Sequence, residues 1–231
     1  MFTVQEYLEG QVLMIDKPIN WTSFQAVNKI KYTLINQVGL PKKFKIGHAG
    51  TLDPLATGLL LICTGKFTKK IAEFQSQAKE YTGTFYIGAT TPSYDLETEI
   101  DATYATSHIN KNLILETVNQ FLGEINQKPP IYSAIKKDGV RLYEHARAGE
   151  NVEIAFRKTT IYEFEITKIK LPEIDFRIKC SKGTYIRSIA FDFGKAMQSG
   201  SHLTALRRTK IGDYDVEDAI DVEKFVADLV K

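Results

Sequence analysis

One aspartate set in a stiff loop is the residue of this 231-residue chain best placed to do covalent chemistry. The stretch Lys45-Ile-Gly-His-Ala-Gly-Thr-Leu-Asp-Pro-Leu-Ala-Thr-Gly58 puts three glycines and a proline around Asp53, directly before the apolar run Leu59 to Cys63. Glycine and proline hold such a segment in a sharp turn, and the run after it reads as a buried strand that anchors the turn. A carboxylate presented in this way can attack an electrophilic carbon, as in retaining glycoside hydrolysis, or can act as a base. Asp before Pro also starts ordinary turns in which the carboxylate satisfies its own backbone, so the residues taken alone leave both readings open. The loop lacks the GxxxxGK[ST] order of a nucleoside-triphosphate cradle.

His48 sits in the same loop, while His108, His145 and His202 are scattered. With no HxxxH or Cys/His spacing, neither a metal nor another cofactor is expected. Cys63 and Cys180 lie in apolar or strand-like surroundings without a CxxC partner and read as buried free thiols of a reducing compartment. No leader-like segment and no apolar run of roughly eighteen residues is seen, so a cytoplasmic protein without a membrane contact is expected.

The net charge of +2 conceals an uneven distribution, with −5 over residues 213–231 and +7 over residues 1–212. Bases cluster at Lys42, Lys43 and Lys45, at Lys66, Lys69 and Lys70, at Lys136, Lys137 and Arg141, and at Arg207, Arg208 and Lys210. Such clusters suit phosphate contact, and each also suits a merely solvated face.

Stepping outward from the loop, a short strand is expected over Gln11 to Ile15. Thr22-Ser23 caps a helix to about Val38, with Phe24, Val27, Ile30, Leu34 and Ile35 at helical spacing. Residues 39–58 read as a loop and Leu59 to Cys63 as a buried strand. A helix from about Lys66 to Ser76 precedes period-two alternation through Tyr81, Gly83, Phe85 and Ile87, the pattern of a strand. An acidic connection over Pro92 to Asp101 leads to a helix from about Lys111 to Leu122, stopped by Gly123. Residues 124–150 then form a long basic excursion carrying Tyr132, Lys136, Lys137, Arg141, Tyr143 and Arg147. Interleaved bases and aromatics suit the shape and unpaired bases of RNA. Strand-like alternation returns over Val152 to Lys170 and Ile174 to Cys180. A helix near Tyr185 to Met197, an apolar stretch around Leu203 to Ile211 and an acidic helix near Asp218 to Lys231 follow. The mixture lacks a strict βαβα rhythm, so an α+β fold on a mixed, largely antiparallel sheet flanked by helices is expected.

The loop resembles the GHxGxLDPxAxG signature of the tRNA uridine-55 pseudouridine synthases, the TruB family, with Asp53 at the place of the catalytic aspartate. The resemblance continues through Asp16-Lys17-Pro18, Thr22-Ser23, Lys79-Glu80-Tyr81, Pro129-Pro130-Ile-Tyr-Ser-Ala134, Cys180-Ser-Lys-Gly-Thr-Tyr-Ile-Arg187 and His202 to Arg208. It implies the pseudouridine-synthase fold and an isomerase that flips a uridine out of the T stem-loop of tRNA, cleaves N1–C1′ and rejoins C1′ to C5. Within it, Arg187 is the guanidinium that favours an ionised Asp53, and Tyr81 is the candidate for the C5 proton or a ring against the nucleoside. Tyr185 and Leu206 are pocket walls, and His48 fills the place of the extruded base. Lys17, Lys45, Tyr132, Lys136 and Arg141 are carried over as RNA contacts, and the 124–150 segment as an inserted, RNA-clasping thumb. The chain stops after one acidic helix where many members continue into a small RNA-binding domain, so a compact single catalytic domain, working as a monomer, is expected. Nucleophilic attack and ribose deprotonation both remain open as routes, and a noncatalytic tRNA-binding protein remains the alternative.

Overall fold

The computed structural model describes residues 2–150 and 152–230, Val230 by its backbone alone. Helix α1 (Val4–Glu9) starts on a capping box between Thr3 and Glu6 and leads into β1 (Val12–Lys17). Helix α2 (Ser23–Val38) starts on a second capping box, Thr22 with Gln25, and ends at Gly39 in the left-handed conformation, as its sequence signals require. There follow β2 (Ile46–His48), β3 (Ala56–Thr64), a 3-10 turn (Gly65–Lys70) continuous with α3 (Ile71–Ser76), and β4 (Lys79–Ile87). The short β5 (Ala89–Thr90) and β6 (Ala102–Thr103) pair with each other and flank the 92–101 connection. Helix α4 (Lys111–Asn119) is capped by Asn110; β7 (Gly123–Gln127), β8 (Lys136–Lys137), β9 (Val140–Arg141) and α5 (Leu142–Arg147) come next. The chain closes with β10 (Arg157–Lys170), β11 (Glu173–Cys180), α6 (Ile186–Ala196), β12 (Ser201–Ile211), β13 (Tyr214–Asp215), β14 (Ile220–Asp221) and α7 (Val222–Val230).

Two compact units result, Met1–Tyr81 with Leu206–Lys231, and Thr82–Ala205. In the first, β3 is central. It runs antiparallel to β1, with Val12 opposite Cys63 and Lys17 opposite Gly58. Along its other edge lie β12, parallel, with Leu206 opposite Ala56, and β2, antiparallel, with His48 opposite Ile62. Strand β14 extends the far edge of β1 in parallel. Because β3 is covered on both faces, its sequence is a continuous apolar run. Leu60 and Ile62 face a core with Ile30 and Leu34 of α2 and Val222 of α7, while Leu59, Leu61 and Cys63 face Ala49, Phe74 and Ile211.

In the second unit β10 pairs antiparallel with β11 along almost its whole length, and with β7 along the other edge, Arg157 opposite Gln127. Its core is aromatic: Phe85 stacks on Phe176 at 4.2 Å, Phe164 and Phe193 meet Phe85 edge-on and tilted, and Phe121 meets Phe164 and Phe193. The expected mixed, largely antiparallel α+β architecture is found in the pairings of both units.

Several expectations are corrected. The loop over 39–58 contains β2, and the 124–150 excursion begins as β7, whose partner lies thirty residues downstream in β10. Helix α4 ends at Asn119, short of Leu122, and α7 begins at Val222, not Asp218, since residues 216–221 form a 3-10 turn and β14; Lys231 lies outside the described residues. Phe24, expected on the buried stripe of α2, is 67% exposed because Ser23 takes the inward position with Ala26, Val27 and Ile30.

Candidate active site

Asp53 is half-buried and opens a tight turn in which the Ala56 N–H donates to the Asp53 carbonyl at 3.1 Å, with Pro54 at the position where its fixed φ suits the turn. The neighbours of Asp53 are gripped on both sides. The Ser23 hydroxyl, at the start of α2, accepts from the Leu52 N–H at 2.8 Å and donates to the Leu52 carbonyl at 3.1 Å. The Asn20 N–H donates to the Pro54 carbonyl at 2.8 Å. Pinned in this way, the flanking peptides fix the backbone from which the carboxylate leaves.

Lys17, expected to touch substrate, is instead fully buried beneath the loop. Its ammonium donates to the carbonyls of Trp21 at 2.6 Å, Pro18 at 2.8 Å and Pro54 at 3.4 Å, which binds β1 to the Asp53 turn. Burial pulls this lysine down to about 8, against the favourable charge of Asp53 and, more weakly, Asp16, while Arg208 adds to the lowering. Coulombic attraction is mutual, so charged Lys17 favours the ionised Asp53.

Arg208 is the second buried cation, 1% exposed. Its Nε donates to the Leu59 carbonyl at 2.7 Å and its Nη2 to the Gly50 carbonyl at 3.1 Å. Burial and then the Arg208 charge hold His48 below its ordinary imidazole value, so the ring is neutral at neutral pH. The bases around 207–210, a cluster that suits phosphate contact or a solvated face, are engaged within the protein. Arg207 forms a bidentate pair with Asp16 at 3.0 and 2.7 Å, and Lys210 pairs with Asp215 at 3.1 Å.

Of the other expected residues in this unit, Leu206 lies half-buried beside Ala56 on β12, and Lys45 is exposed where its carbonyl accepts from Gly65. Tyr81 is half-buried on β4, next to Glu80, whose carboxylate accepts from Thr209 of β12 at 2.9 Å.

In the second unit Arg187, in the first turn of α6, is 4% exposed. It donates to the carbonyls of Tyr132 at 2.8 Å and Ser93 at 3.3 Å and stands 3.6 Å from Asp95. The arginine therefore ties the 92–101 connection to the start of the excursion. Tyr185 precedes α6, and the buried Gln127 holds its peptide from both sides, accepting from its N–H at 2.8 Å and donating to its carbonyl at 3.0 Å. Tyr132 is half-buried. Lys136 and Arg141 are exposed and directly opposite each other in the β8–β9 hairpin. Asp138 and Gly139 turn that hairpin with φ of +52° and +86°, the signs of a type I′ turn.

Sequence reasoning did not foresee the buried main-chain contacts of Ser23, Arg208 and Gln127. Ser23 was legible as part of a helix cap and Arg208 as part of a basic cluster, both within blocks of the resemblance, but their contacts, like those of Gln127, lie with partners distant in the chain. Cys63 is a buried thiol pushed up to about 11 by desolvation, which suits the inert role expected of it. Among the described residues no His, Cys, Asp or Glu group could hold a metal ion, and no helix is long and apolar enough to cross a membrane.

The comparisons with known proteins place this fold and loop in the pseudouridylate synthase class. Residues 38–186 match the N-terminal domain of the TruB family pseudouridylate synthases. The chain is 82% identical over 223 residues to the tRNA pseudouridine synthase B of Flavobacterium johnsoniae, covering 96% of this chain and 97% of that one. It is 49% identical over 224 residues to the enzyme of the same name from Chloroherpeton thalassium, covering 96% and 92%. Among solved structures, a chain of a Cbf5-Nop10-Gar1 complex superposes with a TM-score of 0.72 at 26% identity, over 98% of this chain and 56% of that one. The chain belongs to the TruB family.

Proposed function

We propose that the protein converts uridine to pseudouridine at position 55, in the T-loop of tRNA, with Asp53 as the attacking carboxylate. The reading rests on one observation above the rest: in a chain of the TruB family, Asp53 projects from a turn whose flanking peptides are held by Ser23, Asn20 and buried Lys17. The relatives' printed name, tRNA pseudouridine synthase B, supports the RNA class.

In this reading Asp53 attacks C1′ of the flipped uridine as the N1–C1′ bond breaks, the freed uracil turns, C5 displaces the carboxylate from C1′, and N1 takes up a proton. A proton then leaves C5 to restore the ring, in reach of Tyr81 or a water that it orients. Arg187 serves the ionised carboxylate, Tyr185 and Leu206 wall the base, and neutral His48 occupies the stack that the uridine vacates. Lys45, Tyr132, Lys136 and Arg141 meet the stem-loop. The facing cations Lys136 and Arg141 support that part, because like charges directly opposite on a hairpin disfavour it unless an anion lies between them. The 124–150 segment is the clasping thumb, and the enzyme acts as a cytoplasmic monomer.

The test is release of tritium from C5-labelled uridine in a T stem-loop RNA. Wild type releases it and Asp53→Asn does not, while both bind the RNA. Equal release by the mutant removes Asp53 from the reaction. Tight, salt-sensitive binding without release by wild type would leave a noncatalytic tRNA-binding protein.

A further inference from the structure

Arg208 belongs to none of the roles above, yet it is among the largest fully buried side chains of the protein. A guanidinium taken out of water is costly unless its donors are met, and here two of them are met by carbonyls of one loop. Those carbonyls belong to Gly50 and Leu59, on either side of Asp53. The contact is close along the backbone too: a Cβ at Gly58 would lie 2.3 Å from the Arg208 carbonyl oxygen, so the loop's exit passes directly against the arginine's own peptide. Gly50 approaches as well, its missing Cβ lying 3.5 Å from Nη1.

The geometry points to Arg208 as a positioning residue for the isomerisation, a staple that joins entry and exit of the Asp53 loop and so fixes where the carboxylate stands. It rests on the function proposed above. Lysine cannot replace it fully, since an ammonium is a compact point donor, whereas the planar fork reaches two carbonyls at fixed separation. Methionine fills a similar volume and meets neither.

The experiment uses the full chain under single-turnover conditions, enzyme in excess over the labelled T stem-loop RNA, with Arg208→Lys and Arg208→Met. Rate and amplitude are read separately, beside RNA affinity and backbone amide exchange. For Arg208→Met the rate falls about 100-fold at full amplitude with affinity within about threefold, the cost expected of a carboxylate displaced by an ångström. Arg208→Lys recovers an intermediate rate. In the methionine variant the amides of Ala49, Leu52 and Ala56, whose bonds set the loop, exchange at least about tenfold faster. A wild-type rate at reduced amplitude marks a residue that only keeps the chain folded, and it overturns the proposal. Unchanged exchange at those amides overturns it equally. If Arg208→Met does not fold, Arg208→Lys decides by the same rate and amplitude. If wild type is silent on the RNA, the proposed function fails, and amide exchange still tells whether Arg208 holds the loop.

Discussion

The Ser23 hydroxyl both accepts from and donates to the peptide of Leu52, at 2.8 and 3.1 Å, so the start of α2 holds the residue before Asp53. The contact is buried, and removing it leaves an N–H and a carbonyl without their partner in a place that water does not readily reach. Ser23→Ala is expected to lose about 1–3 kcal/mol in chemical denaturation. Turnover per folded molecule falls about tenfold as the turn loosens. Full activity in Ser23→Ala would show that the turn keeps its direction without the Ser23 contact.

Gly58 combines a φ of +102° with a space that a Cβ would share with the Arg208 carbonyl oxygen at 2.3 Å and its nitrogen at 2.8 Å. Neither obstacle is a flexible side chain. Gly39 has a φ of +80° with nothing within 4 Å of an added Cβ, and so carries the conformational cost alone. Gly39→Ala should cost about 1 kcal/mol and Gly58→Ala about 3 kcal/mol or more, compared by urea unfolding. Equal costs at the two sites would mean that β12 yields easily beside the loop.

Lys17 gives a pH dependence with two opposite signs. Burial lowers it from 10.5 to about 8, so between those values the unfolded chain binds a proton that the native chain has released. Stability contributed by this group therefore rises with pH across that window, as the unfolded state holds more protons. Activity goes the other way, because above about 8 the charged ammonium that clamps the Pro18, Trp21 and Pro54 carbonyls under the Asp53 turn is lost, with Asp53, Arg208 and Asp16 as the charges acting on it. Wild type should show a falling limb in its single-turnover pH profile near 8 that is absent in Lys17→Met. The stability of wild type relative to that variant should grow over the same range. A falling limb that survives in Lys17→Met assigns the titration elsewhere.

Where the signals are local, the sequence was enough. Thr22, Gln25 and Gly39 mark both ends of α2 because capping is settled within a few residues, and the apolar run of β3 declares a strand covered on both faces. The Asp53 turn was legible for the same reason, its glycines and proline being demands of the backbone itself. β2 and β7 were not, since three and five residues become strands only by pairing with β3 and β10. The Asp138-Gly139 dipeptide did carry a hairpin signal, and it was absorbed into the excursion around it. The buried cations were hidden for a physical reason. Lys and Arg are almost always surface residues, and Lys17 and Arg208 are tolerated inside only because folding brings five main-chain carbonyls to their donors.

Gln127 does for Tyr185 what Ser23 does for Leu52, with an amide that accepts from its N–H at 2.8 Å and donates to its carbonyl at 3.0 Å. Its side chain lies at the end of β7, so the edge strand of the second unit and the entry to α6 are joined through one residue. Gln127→Leu keeps the bulk and removes both bonds, taking from the Tyr185 N–H the acceptor that Gln127 supplied, while the Tyr185 carbonyl keeps the Ile189 N–H at 3.2 Å. About 2 kcal/mol or more of stability should be lost. The Ser188 hydroxyl, which donates to the neighbouring Lys128 carbonyl at 2.8 Å, limits how far α6 can move. The variant therefore stays folded at room temperature, and its defect is one of placement, with turnover per folded molecule falling about tenfold because Tyr185 and Arg187 follow the loosened peptide. Gln127→Glu retains the acceptor for the Tyr185 N–H but cannot donate to its carbonyl while ionised, and it should fall between wild type and Gln127→Leu in both measurements. If Gln127→Leu unfolds at the wild-type denaturant concentration and turns over normally, the entry to α6 is held by Ser188 and the aromatic core instead.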